Sequence, residues 1–144
     1  MSGFFGIALK GAWTLKDYYE KTQKDLHNRL NLFGLDAVAR AKKLAPVNTG
    51  HMRSRIIHEV KWLSGLDYHV RVFVPVKAKN GFPYPKAVEF GTKPHRPPFH
   101  ALERWAHLHG MPTGAIVRHI EMYGTKAHPF LRPAVEQALK NLRW

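Results

Sequence analysis

The longest regular pattern of apolar residues predicts one long helix over residues 15–44. Its members are spaced three or four positions apart, which places them on one face of an α-helix. Thr14 and Asp17 have the spacing of an N-cap and first helical turn, and Pro46 ends the helix near residue 44. Gly34 lies off this face, so two helices with a break there are an alternative. The apolar face consists of Leu15, Tyr19, Thr22, Leu26, Leu30, Phe33, Ala37, Ala41 and Leu44.

Beyond this helix the period changes to two, which predicts antiparallel strands. Apolar and polar residues alternate over 56–62 and again over 68–76, and Ser64 and Gly65 form a turn between the two runs. One face of the resulting β-hairpin is apolar, as in a sheet that packs on a core. Residues 84–90 are predicted to form a short third strand.

Three shorter helices complete the chain. Residues 98–109 and 113–123 each place their apolar residues on one side. The last helix begins near Pro133, a residue that the first turn of a helix accommodates. Its expected buried face consists of Leu131, Val135, Ala138, Leu139 and Leu142.

This order of elements predicts an α+β fold. A long N-terminal helix and a C-terminal helix pack on a small antiparallel β-sheet, with a short helical insert at about residues 96–122. We expect an apolar N-terminal arm over residues 1–13 and a single α+β domain over residues 14–144. The arm is too short to span a bilayer and lacks the basic leader of a signal peptide, so we expect neither a membrane partner nor secretion.

One short phrase occurs twice. Residues 90–95 read Phe-Gly-Thr-Lys-Pro-His, and residues 123–128 read Tyr-Gly-Thr-Lys-Ala-His. The phrase offers bases and a histidine but no nucleophile, which favours a presented surface over a catalytic site. We expect the two copies to lie close together and to bracket a subunit-contact or partner-contact surface. Its basic groups are Lys93, His95, Lys126 and His128.

The charge of the chain indicates an acidic partner. There are 23 Lys and Arg residues against 10 Asp and Glu residues, a formal charge of +13. Such an excess favours contact with nucleic acid, an acidic protein surface or a membrane surface. The bases do not form one block, so an ordinary solvated surface is the alternative. The absence of cysteine excludes disulfides, thiolate zinc sites and cysteine nucleophiles.

Catalytic signatures are absent from the sequence. It contains no phosphate-loop, dinucleotide-binding or serine-hydrolase motif, so we expect no enzymatic activity and no cofactor. Six of the ten histidines lie between residues 95 and 128, and a histidine-rich stretch can bind zinc. No Asp, Glu or Cys stands near them at a ligand-like spacing, which favours solvated or interface histidines and no metal.

A small basic nucleic-acid-binding protein or ribonuclease is the alternative hypothesis. Several bases surround the predicted hairpin and its far loop, where they could pair with backbone phosphates. No zinc finger, RNA-recognition motif or basic zipper accompanies them. These bases are Arg53, Arg55, Lys61, Arg71, Lys77 and Lys79.

Aromatic residues in predicted loops indicate self-assembly or docking. Phe4 and Phe5 precede the first helix, Phe82 follows a loop tip, and Phe99 lies among prolines. Some of these side chains would be exposed unless another chain covers them.

Three motifs in order resemble a known family. Residues 45–54 read Ala-Pro-Val-Asn-Thr-Gly-His-Met-Arg-Ser, residues 88–92 read Val-Glu-Phe-Gly-Thr, and residues 129–134 read Pro-Phe-Leu-Arg-Pro-Ala. Between a long first helix and a last helix, this set resembles the small tail-component proteins of long-tailed bacteriophages, described as tail-completion, neck or head–tail joining proteins. The resemblance covers roughly residues 15–142.

The resemblance implies a non-enzymatic subunit of the virion neck. Such subunits are made in the host cytoplasm and form a homo-oligomeric ring, commonly six-fold, at the head-proximal end of the tail. The ring would contact the tail tube or tail terminator protein and the head-closure or connector proteins, and DNA would pass through its lumen. No catalytic residue is implied.

Physical roles follow for the matched residues. Thr49 can cap a turn over 50–54, Gly50 permits the sharp turn into the first strand, and Gly91 lets the third strand leave the sheet. Glu89 is either a surface acid or the partner of a base, such as Arg132 or one on a neighbouring subunit. The interface candidates are Phe4, Phe5, Lys77, Lys79, Phe82, Glu89, Lys93, His95, Phe99, Lys126, His128 and Arg132.

Overall fold

The computed structural model of the protein describes residues 14–78 and 81–142. It confirms the α+β fold, with a long first helix, a two-stranded antiparallel sheet and a closing helix. The elements in order are α1 (Leu15–Leu44), α2 (His51–Ser54), β1 (Ile57–Ser64), β2 (Asp67–Phe73), α3 (Tyr84–Phe90), α4 (Phe99–Leu108), α5 (Thr113–Tyr123) and α6 (Leu131–Asn141).

Helix α1 begins with a reciprocal cap, as the sequence predicted. The Thr14 hydroxyl accepts the Asp17 backbone N–H at 3.1 Å, and the Asp17 carboxylate accepts the Thr14 N–H at 2.9 Å. The Thr14 hydroxyl also donates to this carboxylate at 2.7 Å. These hydrogen bonds from Thr14 lower the pKa of Asp17 below its ordinary value. The helix then runs unbroken for 30 residues and ends before Pro46.

Gly34 is not a break in α1 but a point of close approach. A Cβ atom at this position would lie 2.2 Å from Cδ2 of His58 on β1, and Gly34 itself is buried. The His58 ring is held there because its Nε2 lies 2.7 Å from Oδ1 of Asn31. The glycine therefore lets the hairpin lie directly on the helix backbone.

The hairpin follows α1 back towards its N-terminus. Val60 pairs with Val70 and Glu59 with Arg71, and the alternate residues His58 and Val60 are half-buried against α1. At the turn, Gln23 Nε2 on α1 donates to the Gly65 carbonyl at 2.7 Å. The hairpin prediction is thus confirmed, although β2 ends at Phe73 and not at residue 76.

The predicted third strand is wrong, because Tyr84–Phe90 forms helix α3. Pro85 stands in the first turn, where its missing N–H costs no hydrogen bond. Pro85 and Glu89 are buried and Val88 is half-buried. Val88 and Glu89 follow Pro85 by three and four positions, which is the spacing of one helix face. In so short a segment, the helical and strand periods of apolar residues are hard to tell apart from the sequence. Gly91 therefore terminates a helix and not a strand.

A second correction concerns the turn before the sheet. Residues His51–Ser54 form a single helical turn, and its N-cap is Gly50, whose φ of 76° lies in the left-handed region. The Thr49 side chain makes no capping hydrogen bond to this turn, contrary to prediction. Gly50 provides the sharp change of direction, as expected.

The core lies between α1, α6 and residues 45–54, which we call the first motif. Ala41 on α1 and Ala134 on α6 are fully buried, and small side chains let helices approach closely. Phe130 and Ile56 are the largest side chains that are fully buried. The buried core cluster consists of Ala41, Ala45, Met52, Ile56, Phe130 and Ala134.

Both predicted apolar faces include exposed residues, at the two ends on α1 and at Leu139 on α6. Leu15 and Leu44 on α1 and Leu139 on α6 face solvent, whereas the buried positions of α6 are Ala134 and Ala138. A repeating pattern identifies the face of a helix but not how much of its length another element covers. None of the described helices combines the length and apolar character needed to cross a membrane.

Replacing Gly34 tests its close approach to His58. Gly34→Ala alone should destabilise the protein by about 1–3 kcal/mol, because the imidazole must move and leave Asn31. In a His58→Ala background the same change should stabilise it by about 0.5–1 kcal/mol, since alanine favours a helix over glycine. Urea unfolding followed by circular dichroism measures both; the same sign in both backgrounds would contradict the packing described.

Candidate assembly surface

The two copies of the repeated phrase lie against each other, as the sequence predicted. Thr92 and Thr125 form an antiparallel β-bridge in which each backbone N–H donates to the other carbonyl, at 3.1 and 3.2 Å. Their hydroxyl oxygens are 2.9 Å apart. Residues 33 positions apart in sequence thus close the base of the insert that carries α4 and α5.

The glycine of each copy is required by this contact. Gly91 (φ 71°, ψ −176°) ends α3 and Gly124 (φ 72°, ψ −157°) ends α5, in a region of backbone conformation that essentially only glycine occupies. A Cβ on Gly91 would lie 2.5 Å from the Thr125 carbonyl oxygen. A Cβ on Gly124 would lie 2.0 Å from the Thr92 carbonyl oxygen. Both glycines turn the chain and admit the opposite backbone.

The histidine of each copy caps the helix that ends in the other copy. The His95 N–H donates to the Ile120 carbonyl of α5 at 3.3 Å, and the His128 N–H donates to the Val88 carbonyl of α3 at 2.7 Å. Carbonyls in the last turn of a helix commonly lack partners within the helix, although the Ile120 carbonyl also accepts the Gly124 N–H at 2.9 Å. The repeated phrase is therefore a reciprocal clasp, formed by two similar helix ends that satisfy each other.

The basic side chains of this clasp face solvent. Lys93, His95, Lys126 and His128 are all exposed. His95 Nδ1 donates to the Lys93 carbonyl at 2.9 Å, which keeps this ring folded against its own loop. The clasp thus presents cationic groups, as the sequence indicated, while its hydroxyl and backbone groups are used inside the subunit.

Glu89 has a role that neither sequence interpretation gave it. It is only 6% exposed, so it is not a surface acid. One carboxylate oxygen accepts the N–H groups of Phe130 and Leu131 at 2.7 and 2.9 Å, and the other accepts the N–H of Arg132 at 2.9 Å. These are the orphan donors at the start of α6, which has no side-chain cap of its own. Glu89 is the N-terminal cap of α6, supplied by α3.

The other interface candidates are spread over the surface. Lys77, Phe82 and Phe99 are exposed, near the end of the sheet, before α3 and at the start of α4 respectively. Arg132 is exposed, and its guanidinium carbon lies 6.0 Å from the centre of the Phe90 ring. Phe4, Phe5 and Lys79 lie outside the described residues.

Charge is divided unevenly between two parts of the chain. Residues 14–36 and 57–73, which we call the helix–hairpin unit, contain six basic and six acidic residues. The remaining residues, which we call the basic part, therefore carry the whole formal charge of +13. Of the four acidic residues in that basic part, Glu89 is buried and Glu121 lies 3.2 Å from the Arg96 guanidinium.

The neutral helix–hairpin unit exposes large apolar side chains at one end. The first turns of α1 meet the hairpin turn there, since Gln23 bonds the Gly65 carbonyl and Trp62 Nε1 donates to the same oxygen at 3.0 Å. Six apolar side chains at this end are between 43% and 91% exposed. Such a group marks an interaction surface. They are Leu15, Tyr18, Tyr19, Trp62, Leu63 and Leu66.

A cavity of about 630 Å³ lies beside the first motif. Residues 46–53 form one wall, α3 contributes Tyr84 and Val88, and Trp105 and His109 from the insert form the opposite side. The rings of Trp105 and His109 are stacked, with centroids 4.0 Å apart. Sequence reasoning missed this cavity, because Trp105 and His109 reach the motif only through the fold of the insert. The first motif, residues 45–54, was the sequence signal that could have located this cavity.

Several of the described histidines hydrogen-bond hydroxyl, amide or carbonyl groups. His51 Nδ1 lies 3.3 Å from the Tyr84 hydroxyl, and His109 Nδ1 donates to the Trp105 carbonyl at 2.8 Å. Within residues 14–78 and 81–142, no three His, Asp or Glu side chains come together in a way that could hold a metal ion.

Glu89→Gln tests the cap on α6. The amide has one acceptor oxygen where the carboxylate has two, and its NH₂ group would face backbone donors, so we expect a loss of about 2–4 kcal/mol in unfolding free energy. Glu136→Gln, an exposed change on α6 itself, is the control and should alter stability by less than about 0.5 kcal/mol. Equal effects of the two changes in urea unfolding would contradict the assigned role.

Gly124→Ala tests the clasp. The added methyl group meets the Thr92 backbone and the required φ disfavours alanine, so we expect a loss of at least about 3 kcal/mol, or failure to fold. Gly114→Ala is the matched control: no atom would contact its Cβ within 4 Å, and it lies in α5. That change should stabilise by about 0.5–1 kcal/mol in thermal or urea unfolding. A tolerated alanine at position 124 would exclude the clasp geometry.

No protein-family model, curated protein sequence or solved structure matches this chain.

Proposed function

We propose that this protein is a structural subunit of a tailed-bacteriophage virion, acting in tail completion or head–tail joining. In this role it forms a ring of identical subunits in the neck, commonly six-fold. The ring contacts the tail tube or tail terminator on one side and head-closure or connector proteins on the other. DNA passes through its lumen, and the subunit performs no catalysis.

The observation that carries the proposal is that the excess positive charge lies outside the helix–hairpin unit, which exposes apolar side chains. Copies of a chain with a charge of +13 repel one another wherever their basic parts meet. The helix–hairpin unit has no net charge and exposes Leu15, Tyr18 and Trp62 among others. Like subunits can therefore associate through this unit at low electrostatic cost, and the basic parts remain available to an acidic partner or to DNA.

The three family-like motifs also support the proposal, since they meet in one place. Met52 from the first motif and Phe130 from the third belong to the same buried cluster, and Val88 from the second packs against it. Glu89 of the second motif caps the helix that starts in the third. Motifs that depend on one another physically are more specific as a set than as separate matches.

A small nucleic-acid-binding protein or ribonuclease is the second candidate. It is favoured by the same basic part, which contains four acidic residues against seventeen basic ones. The two functions differ in solution. A nucleic-acid binder should bind free duplex or single-stranded DNA or RNA with an affinity that falls steeply as salt rises, whereas a joining subunit has no need to bind free DNA.

Electron microscopy of assembled particles tests the proposed function. Without the protein, filled heads and finished tails should accumulate unjoined. Supplying the Leu15→Glu/Tyr18→Glu variant should fail to restore joining, because two carboxylates enter an apolar contact. Acidic residues in the first turn of α1 favour the helix, so this variant should still fold.

The control variant is Leu108→Glu/Met122→Glu, which adds the same charge to exposed apolar positions outside the helix–hairpin unit. It should restore joining. Normal joining in the absence of the protein would refute the proposed function, and joining restored equally by both variants would refute the role of the helix–hairpin unit.

A further inference from the structure

The cavity beside the first motif has the composition of a peptide-binding groove. Pro46, Val47, Met52 and Val88 supply apolar surface, and the stacked Trp105 and His109 rings supply an aromatic wall. Its volume of about 630 Å³ lies in the range of ligand-binding clefts, and it is open to solvent. An apolar side chain inserted there would be removed from water on several sides.

The polar groups of the groove select an anion. Arg53 is exposed and lines the groove together with His51 and His109, and no acidic residue lines it. Tyr84 is half-buried, and burial raises its pKa while the nearby positive charge of Arg55 lowers it. The phenol therefore stays protonated at neutral pH and can donate a hydrogen bond. The Glu89 carboxylate is turned to α6 and does not compete.

The number of cationic side chains that line the groove indicates whether its ligand is a carboxylate or a phosphate. Among the lining residues Arg53 is the one permanently charged base, and a guanidinium matches a carboxylate with two parallel hydrogen bonds. A phosphate group with up to two negative charges is better matched by several bases or by a series of backbone N–H groups. The apolar and aromatic walls further require that the ligand bring an apolar group beside its carboxylate.

We propose that this groove binds an acidic peptide segment of a partner protein, in which an apolar or aromatic side chain stands beside a carboxylate. The apolar side chain packs between Met52 and Trp105, and the carboxylate pairs with Arg53. The groove lies between the insert and the first motif, so a bound peptide would tie these two parts of the subunit together. This binding rests on the chemistry of the groove and does not depend on the protein being a virion component.

The test uses the whole protein and a fluorescein-labelled peptide of sequence Asp-Leu-Glu-Phe-Asp-Leu-Glu. Fluorescence anisotropy at about 0.15 M salt limits long-range attraction by the basic surface. The peptide should bind at least about tenfold more tightly than its Lys-Leu-Lys-Phe-Lys-Leu-Lys counterpart, because the Arg53 guanidinium would form charge-assisted hydrogen bonds with a carboxylate and would repel an ammonium group. Equal affinities for the two peptides would overturn the inference.

The matched variants are Arg53→Gln and Arg118→Gln. Both remove one exposed charge, but Arg118 lies on α5 and does not line the groove. Arg53→Gln should weaken binding of the acidic peptide about tenfold, and Arg118→Gln should change it less than about twofold. Equal losses would mean that the peptide is held by the overall charge of the protein, which would contradict the proposed groove.

Methionine methyl groups locate the bound peptide. With ¹³C-methyl methionine, the Met52 signal should shift on binding because Met52 lines the groove, while the exposed Met111 and Met122 should not. Peptide binding without a Met52 shift would place the site elsewhere. Tighter binding of inorganic phosphate or ADP, or of a peptide with the sequence of residues 1–13, would replace the proposed ligand class and overturn the inference. Loss of head–tail joining is not among these measurements, so the two proposals can fail separately.

Discussion

The closing helix depends on the carboxylate of Glu89. Helix α6 begins at Leu131, directly after the buried N-cap residue Phe130, whose side chain makes no capping hydrogen bond. The first N–H groups of a helix need acceptors, and burial removes water as a substitute. Glu89 accepts three of them from α3, forty-one to forty-three residues earlier in the chain. Because Phe130 fills the core beside Met52 and Ile56, this one interaction holds α3, α6 and the first motif in a common arrangement.

The clasp likewise joins helix ends that are distant in sequence, at the base of the insert. The ends of α3 and α5 satisfy each other through Thr92, Thr125 and the backbone amides of His95 and His128. The insert therefore leaves and re-enters the subunit through paired backbone, which positions Trp105 and His109 opposite the first motif. In sequence the repeated phrase resembles two binding sites. In the structure its glycine and threonine residues form a contact within the subunit. Its lysine and histidine side chains are exposed.

The excess positive charge lies in one of two parts of this protein. Both parts expose aromatic and aliphatic side chains, but the helix–hairpin unit has no net charge and the basic part carries the full formal excess. In the proposed role, this division lets copies associate through the neutral unit while the basic part meets an acidic surface, since like charges oppose association. Gly34 contributes by bringing the hairpin onto α1, so that the hairpin turn and the first turns of α1 form one surface.

The sequence alone determined the elements whose signals are local. Long periodicity and the Thr14–Asp17 pair predicted α1, and alternation predicted the hairpin. It did not determine the state of residues 84–90, because seven residues with a proline satisfy both periods until packing selects the buried set. Only the tertiary structure decided that Glu89 is buried, that Gly34 faces His58, and that Trp105 meets the first motif. These contacts join residues far apart in sequence, and no local pattern records which distant donor or ring will lie opposite a given side chain.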